Sequence, residues 1–121
     1  MITAFDVESS RFPDGSPYRQ TAELISYAYV GVDNEPCFMY YTDPDFKEQI
    51  QDILETTTLL IVINGKFDIG WARRMSCTLP RGLRVWDCQL AEFVMSGQTN
   101  SFASMEALCE QYGIVGKEGG L

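Results

Sequence analysis

A chain of 121 residues with 45% apolar side chains is the size of one domain and too apolar for a disordered segment. No apolar run nears the roughly 18 to 20 residues of a membrane span. The start, Met1-Ile2-Thr3-Ala4-Phe5-Asp6, reaches an acid with no basic stretch before it, unlike a secretory signal.

A cytoplasmic chain without a membrane partner is therefore expected. The absence of histidine excludes an imidazole base among these residues. Four cysteines, Cys37, Cys77, Cys88 and Cys109, form no Cys-x-x-Cys pair. That pattern argues against zinc and for reduced, packed thiols. The net charge of −8 argues at face value against nucleic acid. Its distribution is uneven, because Lys66, Arg73, Arg74, Arg81 and Arg84 stand against Asp68 alone over residues 66–84. Such a cluster is either a solvated helix and loop or a local phosphate-binding surface on an acidic body.

In chain order, residues 2–8 alternate and predict a strand. "SSRFPDGSPYR" (9–19) predicts a loop. The β-rich runs 21–30 and 37–42, separated by "GVDNEP", predict a hairpin that makes an antiparallel meander with the first strand. Asp43-Pro44 predicts an N-cap with proline at the first helical position, ahead of a helix carrying Phe46, Ile50, Ile53 and Leu54 on one side. "LLIVI" (59–63) predicts a central strand buried on both faces. A helix over about 66–77 follows, with Phe67, Trp71 and Met75 on one stripe, then a short strand at 83–86. "CQLAEFVM" predicts a helix closed by Gly97, and Ser104 caps a last helix that ends at Gly113. The order predicts a mixed α/β sheet with flanking helices.

Three acids fall where chemistry tends to sit. Asp6 and Glu8 are two positions apart in the first strand, so they leave from one face with Cα atoms roughly 6 to 7 Å apart. Two such carboxylates raise each other's pKa unless a cation intervenes, and a hard divalent ion suits them. An Asp-x-Glu pair also arises by chance. Asp68 falls in the first turn of the helix after a buried strand, which is equally an ordinary helix-start acid. Asn64, four residues earlier, would shape the strand-to-helix turn, by its conformation alone or by side-chain hydrogen bonds. Phe67 reads as core, and Asp87 as an N-cap for the next helix.

Together, "FDVES", "NGKFD" and "VWDCQLAEFVMSGQTNSFASMEALCEQYG" resemble the 3′–5′ exonuclease (proofreading) domain of family-A, phage-type DNA polymerases and its RNase D-like relatives. The resemblance covers nearly the whole chain as one domain, 1–121. It implies an RNase H-like fold, with a three-strand antiparallel meander followed by parallel strands. It assigns Asp6, Glu8 and Asp68 as metal-binding and catalytic carboxylates for two Mg²⁺ or Mn²⁺ ions in the complete domain. Ser9, Asn64, Lys66, Arg73 and Arg74 would contact substrate, while Phe67 and Asp87 would support the site. The family's third motif, Tyr-x-x-x-Asp, does not follow Tyr112, so the resemblance implies the N-terminal part of a longer polymerase chain, weak or inactive by itself. The implied partners are a single-stranded DNA 3′ end and a polymerase domain, in the host cytoplasm if phage-encoded. RNA processing and a non-catalytic nuclease-fold module are the alternatives.

Overall fold

The computed structural model describes residues 1–9, 24–31, 35–100 and 103–115. The loop predicted over 9–19, the start of the second strand, the tip of the hairpin and the "GKEGGL" end lie wholly or mostly outside them. Five strands form one sheet: β1 Ile2–Ser9, β2 Leu24–Gly31, β3 Cys37–Tyr40, β4 Leu59–Val62 and β5 Arg84–Asp87. Four helices accompany them: α1 Phe46–Thr56, α2 Gly65–Arg74, α3 Cys88–Met95 and α4 Met105–Tyr112. The strand order is β3-β2-β1-β4-β5, antiparallel from β3 to β1 and parallel from β1 to β5. This mixed sheet with flanking helices is consistent with the predicted RNase H-like fold. No helix among the described residues is long and apolar enough to cross a membrane.

Period-2 alternation decides the faces of β1. Thr3, Phe5 and Val7 are buried, whereas Ala4, Asp6 and Glu8 point to the other side. The buried face is covered by Phe46, Ile50, Ile53 and Leu54 of α1 and by Trp71 and Ala72 of α2. Tyr27 sits in this core with its ring centroid 4.9 Å from that of Phe46 and 5.9 Å from that of Phe5. Beneath them, the Thr3 and Thr57 hydroxyls meet at 2.8 Å, and Thr57 Oγ1 donates to the Ile53 carbonyl.

Three local expectations change. Asp43 does not cap α1. Its carboxylate accepts the Tyr40 N–H at 3.1 Å and its carbonyl accepts the Phe46 N–H, so it closes the turn between β3 and α1. Asp45 takes the N-cap position, without a side-chain cap bond. The strand β4 is buried on one face only. Leu60 and Val62 are in the core, but Leu59, Ile61 and Ile63 are half-buried, because both α1 and α2 cover the same side. The helix α2 stops at Arg74, and Ser76 follows with φ 64°.

The apolar helix α3 packs in an unexpected sense. Its one fully buried side chain is Glu92, while Leu90, Val94 and Met95 are exposed. Glu92 Oε2 accepts the Tyr112 hydroxyl at 2.5 Å, and Oε1 accepts Gln111 Nε2 at 2.8 Å and Asn100 Nδ2 at 3.2 Å. The bonds from Tyr112 and Gln111 hold this carboxyl below the usual glutamate range. A lowered folded pKa contributes stability above the unfolded pKa, and that contribution is lost as pH falls through the folded value. Glu92→Ala is therefore expected to lower the hydrogen-exchange protection of the α4 amides at neutral pH, and acid is expected to lower it in the parent chain, protection being taken relative to the intrinsic rate at each pH. Unchanged protection in both cases would show that Leu108, not this carboxylate, holds α4.

Candidate functional site

The site forms where β1 outruns β4. The parallel ladder joins β1 to β4 only at Ile2, Thr3 and Ala4. Past that point the side of β1 facing β4 has no strand beside it, and a backbone N–H there needs another acceptor. The chain leaves β4 at Val62, turns at Asn64 and enters α2, which carries Asp68 back toward this gap. Asp68 Oδ1 accepts the Val7 N–H at 3.0 Å, between Asp6 and Glu8 in sequence. The Asp68 side chain is 1% exposed, whereas Asp6 and Glu8 are exposed.

Burial pushes the Asp68 carboxyl up to about 8. The Val7 N–H opposes this, and the negative charges of Asp6, Asp87 and Glu8 add to it. Asp6 and Glu8 thus both act electrostatically on Asp68. Such a group is poised to lose its proton when positive charge arrives.

Asp87 builds the turn that delivers Asp68. It ends β5 and caps α3 as expected, with Oδ1 accepting the Gln89 N–H at 2.9 Å. The same carboxylate also reaches the start of α2, where Oδ1 accepts the Asn64 N–H at 3.2 Å and Oδ2 accepts the Gly65 N–H at 2.7 Å. One side chain therefore serves two helix N-termini, each carrying orphan N–H groups and a positive dipole end. Asn64 does not make a side-chain cap bond. It sits at φ 59°, ψ 60°, a left-handed conformation that asparagine tolerates. Gly65 allows the close approach, since a Cβ there would lie 2.7 Å from Val62 Cγ2 and 3.4 Å from Asp87 Oδ2. Sequence reasoning found one role for Asp87 and missed this second one, because the partner is 22 residues away.

The remaining predicted residues spread out. Ser9 is half-buried at the irregular end of β1, where the register with β2 shifts. Lys66 is exposed on the first turn of α2. Phe67 is partly buried and packs on the core, as expected. Arg73 and Arg74 occupy the last turn, where cations suit the helix dipole, and the Arg74 guanidinium lies 4.8 Å from the centre of the Trp71 ring. A shallow apolar depression of about 240 Å³ borders Asp6, with Ala4, Ala28, Val30, Ile61 and Ile63 among its walls.

The donor set at the end of β1 is oxygen only and carries excess negative charge, which fits a hard divalent cation and no soft one. Among the described residues, no three His, Cys, Asp or Glu side chains are gathered into a metal-holding group. An ion here would be held by one or two carboxylates, with water completing its shell, as Mg²⁺ allows.

No family model matches the chain, and no curated protein matches it. Solved structures do match. One is the family B DNA polymerase from the hyperthermophilic archaeon Pyrobaculum calidifontis, with a TM-score of 0.71 and 15% identity. The match covers 95% of this chain and 18% of that polymerase. At this identity the likeness is one of fold. It lends no support to the family-A, phage-type refinement read from the motifs.

Proposed function

We propose that this chain is a metal-dependent 3′–5′ exonuclease domain that removes 3′-terminal nucleotides from DNA as part of a longer polymerase chain. The observation that carries the proposal is the buried Asp68 carboxyl, fixed on the Val7 N–H and acted on by Asp6 and Glu8. A purely structural acid would not be expected to sit at such a focus of like charge. The likeness to a segment of a DNA polymerase supports the polymerase context. The polymerase family is no part of the proposal.

Asp6, Glu8 and Asp68 would supply the carboxylates for Mg²⁺ or Mn²⁺ at the end of β1, one or two to an ion with water completing its shell. The bound metal supplies charge neutralisation on the scissile phosphodiester and a more acidic attacking water. The chain's own residues do the rest. Asp87 and the Val7 N–H keep Asp68 in place, so no reorganisation is needed when substrate arrives. Asn64 and Lys66, at the mouth of α2, would contact phosphate, as would Ser9 beside Glu8 and Arg73 and Arg74 at the far end of the helix. The apolar depression next to Asp6 offers a floor for the terminal nucleoside.

The test is digestion of 3′-labelled single-stranded DNA by the full-length protein in Mg²⁺ or Mn²⁺. Asp6→Ala and Asp68→Ala are each expected to slow it by about 10²–10³-fold, the equivalent of several kcal/mol of lost charge stabilisation. Undiminished cleavage by both variants would refute the assignment. Faster digestion of a matched RNA would move the substrate from DNA to RNA.

A further inference from the structure

A second surface lies on the other side of α2, away from the buried acids. A groove of about 510 Å³ runs between α2 and α3 along the free edge of the sheet. Lys66 and Ile69 of α2, Val85 and Trp86 of β5, and Leu90 and Val94 of α3 line it. Its apolar side chains are unusually open, with Trp86 50% exposed, Leu90 60% and Val94 68%. Leu90 and Val94 are one helical turn apart and form an outward stripe, because α3 turns Glu92 inward to α4. Contiguous exposed apolar surface of this kind marks an interaction site.

The charge around the groove narrows the occupant. Lys66 and Ile69 line the groove, and Arg73, at i+7 from Lys66, lies on the same face of α2 two turns further on. Arg84, exposed at the start of β5, adds a cation at the sheet edge. Asp87 also borders the groove, but its oxygens are taken by three backbone N–H groups. The α2 wall and the adjoining sheet edge thus hold three exposed cations, Lys66, Arg73 and Arg84, on a chain whose net charge is −8. Two copies meeting here about a two-fold axis would bring like cations together. A nucleic acid would find the cations but mostly aliphatic walls, with Trp86 as the aromatic face among the six residues named, where stacking platforms use several. An added strand would find an edge of four residues, with much of the apolar surface beyond it on α3.

We propose that this groove docks an amphipathic helix of a protein partner, with aliphatic anchors on one face and acidic residues along its flank. The anchors fill the space over Ile69, Val85, Leu90 and Val94, and the acids meet Lys66 and Arg73. This is the helix-in-groove mode of recognition, read by anchors at i, i+3/4 and i+7. It uses none of Asp6, Glu8 and Asp68, although it shares Lys66 and Arg73 with the proposed phosphate contacts, so Val85, Leu90 and Val94 are what set it apart.

The probe is a synthetic helical peptide of about four turns, leucine on one face and glutamate on the flanks. A lysine-flanked peptide with the same leucine face is its counterpart. Trp86 is the reporter, because the chain's other tryptophan, Trp71, is 1% exposed. The glutamate-flanked peptide is expected to bind saturably and shift Trp86 emission to the blue, with no shift in Trp86→Phe. Leu90→Glu should weaken binding at least tenfold without lowering Tm, as Leu90 is a surface residue. Lys66→Glu combined with Arg73→Glu should reverse the preference toward the lysine-flanked peptide. Several results would overturn the proposal: no binding of either peptide, equal binding of both, oligothymidylate binding that Leu90→Glu weakens, or self-association that Leu90→Glu abolishes.

Discussion

Asp68→Asn is expected to stabilise the metal-free chain at pH 8 by on the order of 3–5 kcal/mol while slowing the proposed metal-dependent cleavage by about a hundredfold or more. The folded carboxyl is raised from 3.8 to about 8. Between those values the folded chain keeps a proton that the unfolded chain has released, so folding takes up a proton across that window. The stability this group contributes is complete below pH 4 and is lost as pH rises toward 8. Asparagine never ionises, and its carbonyl can still accept the Val7 N–H. Urea denaturation in chelator at pH 4 and pH 8 measures this: parent and variant should be close at pH 4 and diverge progressively toward pH 8. A variant no more stable than the parent at pH 8 would mean that Asp68 is ionised without a metal.

The same group links metal to pH. Mg²⁺ or Mn²⁺ at the site would favour the ionised carboxylate, so binding should release close to one proton near pH 7 and strengthen as pH rises. At a hundredfold excess over Kd it would add about 2.7 kcal/mol of stability. The pairing of lost stability with gained binding is what makes Asp68 informative. A group conserving only the fold would have no reason to carry this cost.

The second large effect concerns Asp87. Asp87→Ala leaves the N–H groups of Asn64, Gly65 and Gln89 without their shared acceptor. The start of α2 then loses two charge-assisted bonds and the start of α3 one, and water can repair the exposed Asn64 side more readily than Gly65. A loss of roughly 2–4 kcal/mol follows from bonds of this kind. Activity should fall as well, because the turn that presents Asp68 would relax. Asp87→Asn should be intermediate, since its amide can accept on one side but not on both. If Asp87→Ala stayed within about 0.5 kcal/mol of the parent, the turn would be held by Val62 and Gly65 packing instead.

Much of the fold was legible because its signals are local. Phe46, Ile50, Ile53 and Leu54 recur at helical spacing and form the buried stripe of α1. Ser104 accepts the Ala107 N–H at 3.1 Å to open α4, and Gly113 closes it at φ 67°. The left-handed Gly97 follows α3 as expected. The cap predicted at Asp43 failed for an equally local reason: the free N–H of Tyr40, at the end of β3, competes for the same carboxylate and wins.

The sequence by itself determined which residues could carry charge chemistry, because Asp6 and Glu8 must share a face in any strand and Asp68 must open the helix after β4. Only the tertiary structure decided their states. The Asp68 carboxyl is pushed up by burial and by charges that arrive from residues 6, 87 and 8. Glu92 is buried on α3 because Asn100, Gln111 and Tyr112 converge on it. Face and spacing follow from backbone periodicity within a few residues, whereas dielectric and hydrogen-bond satisfaction are sums over whatever the fold brings near.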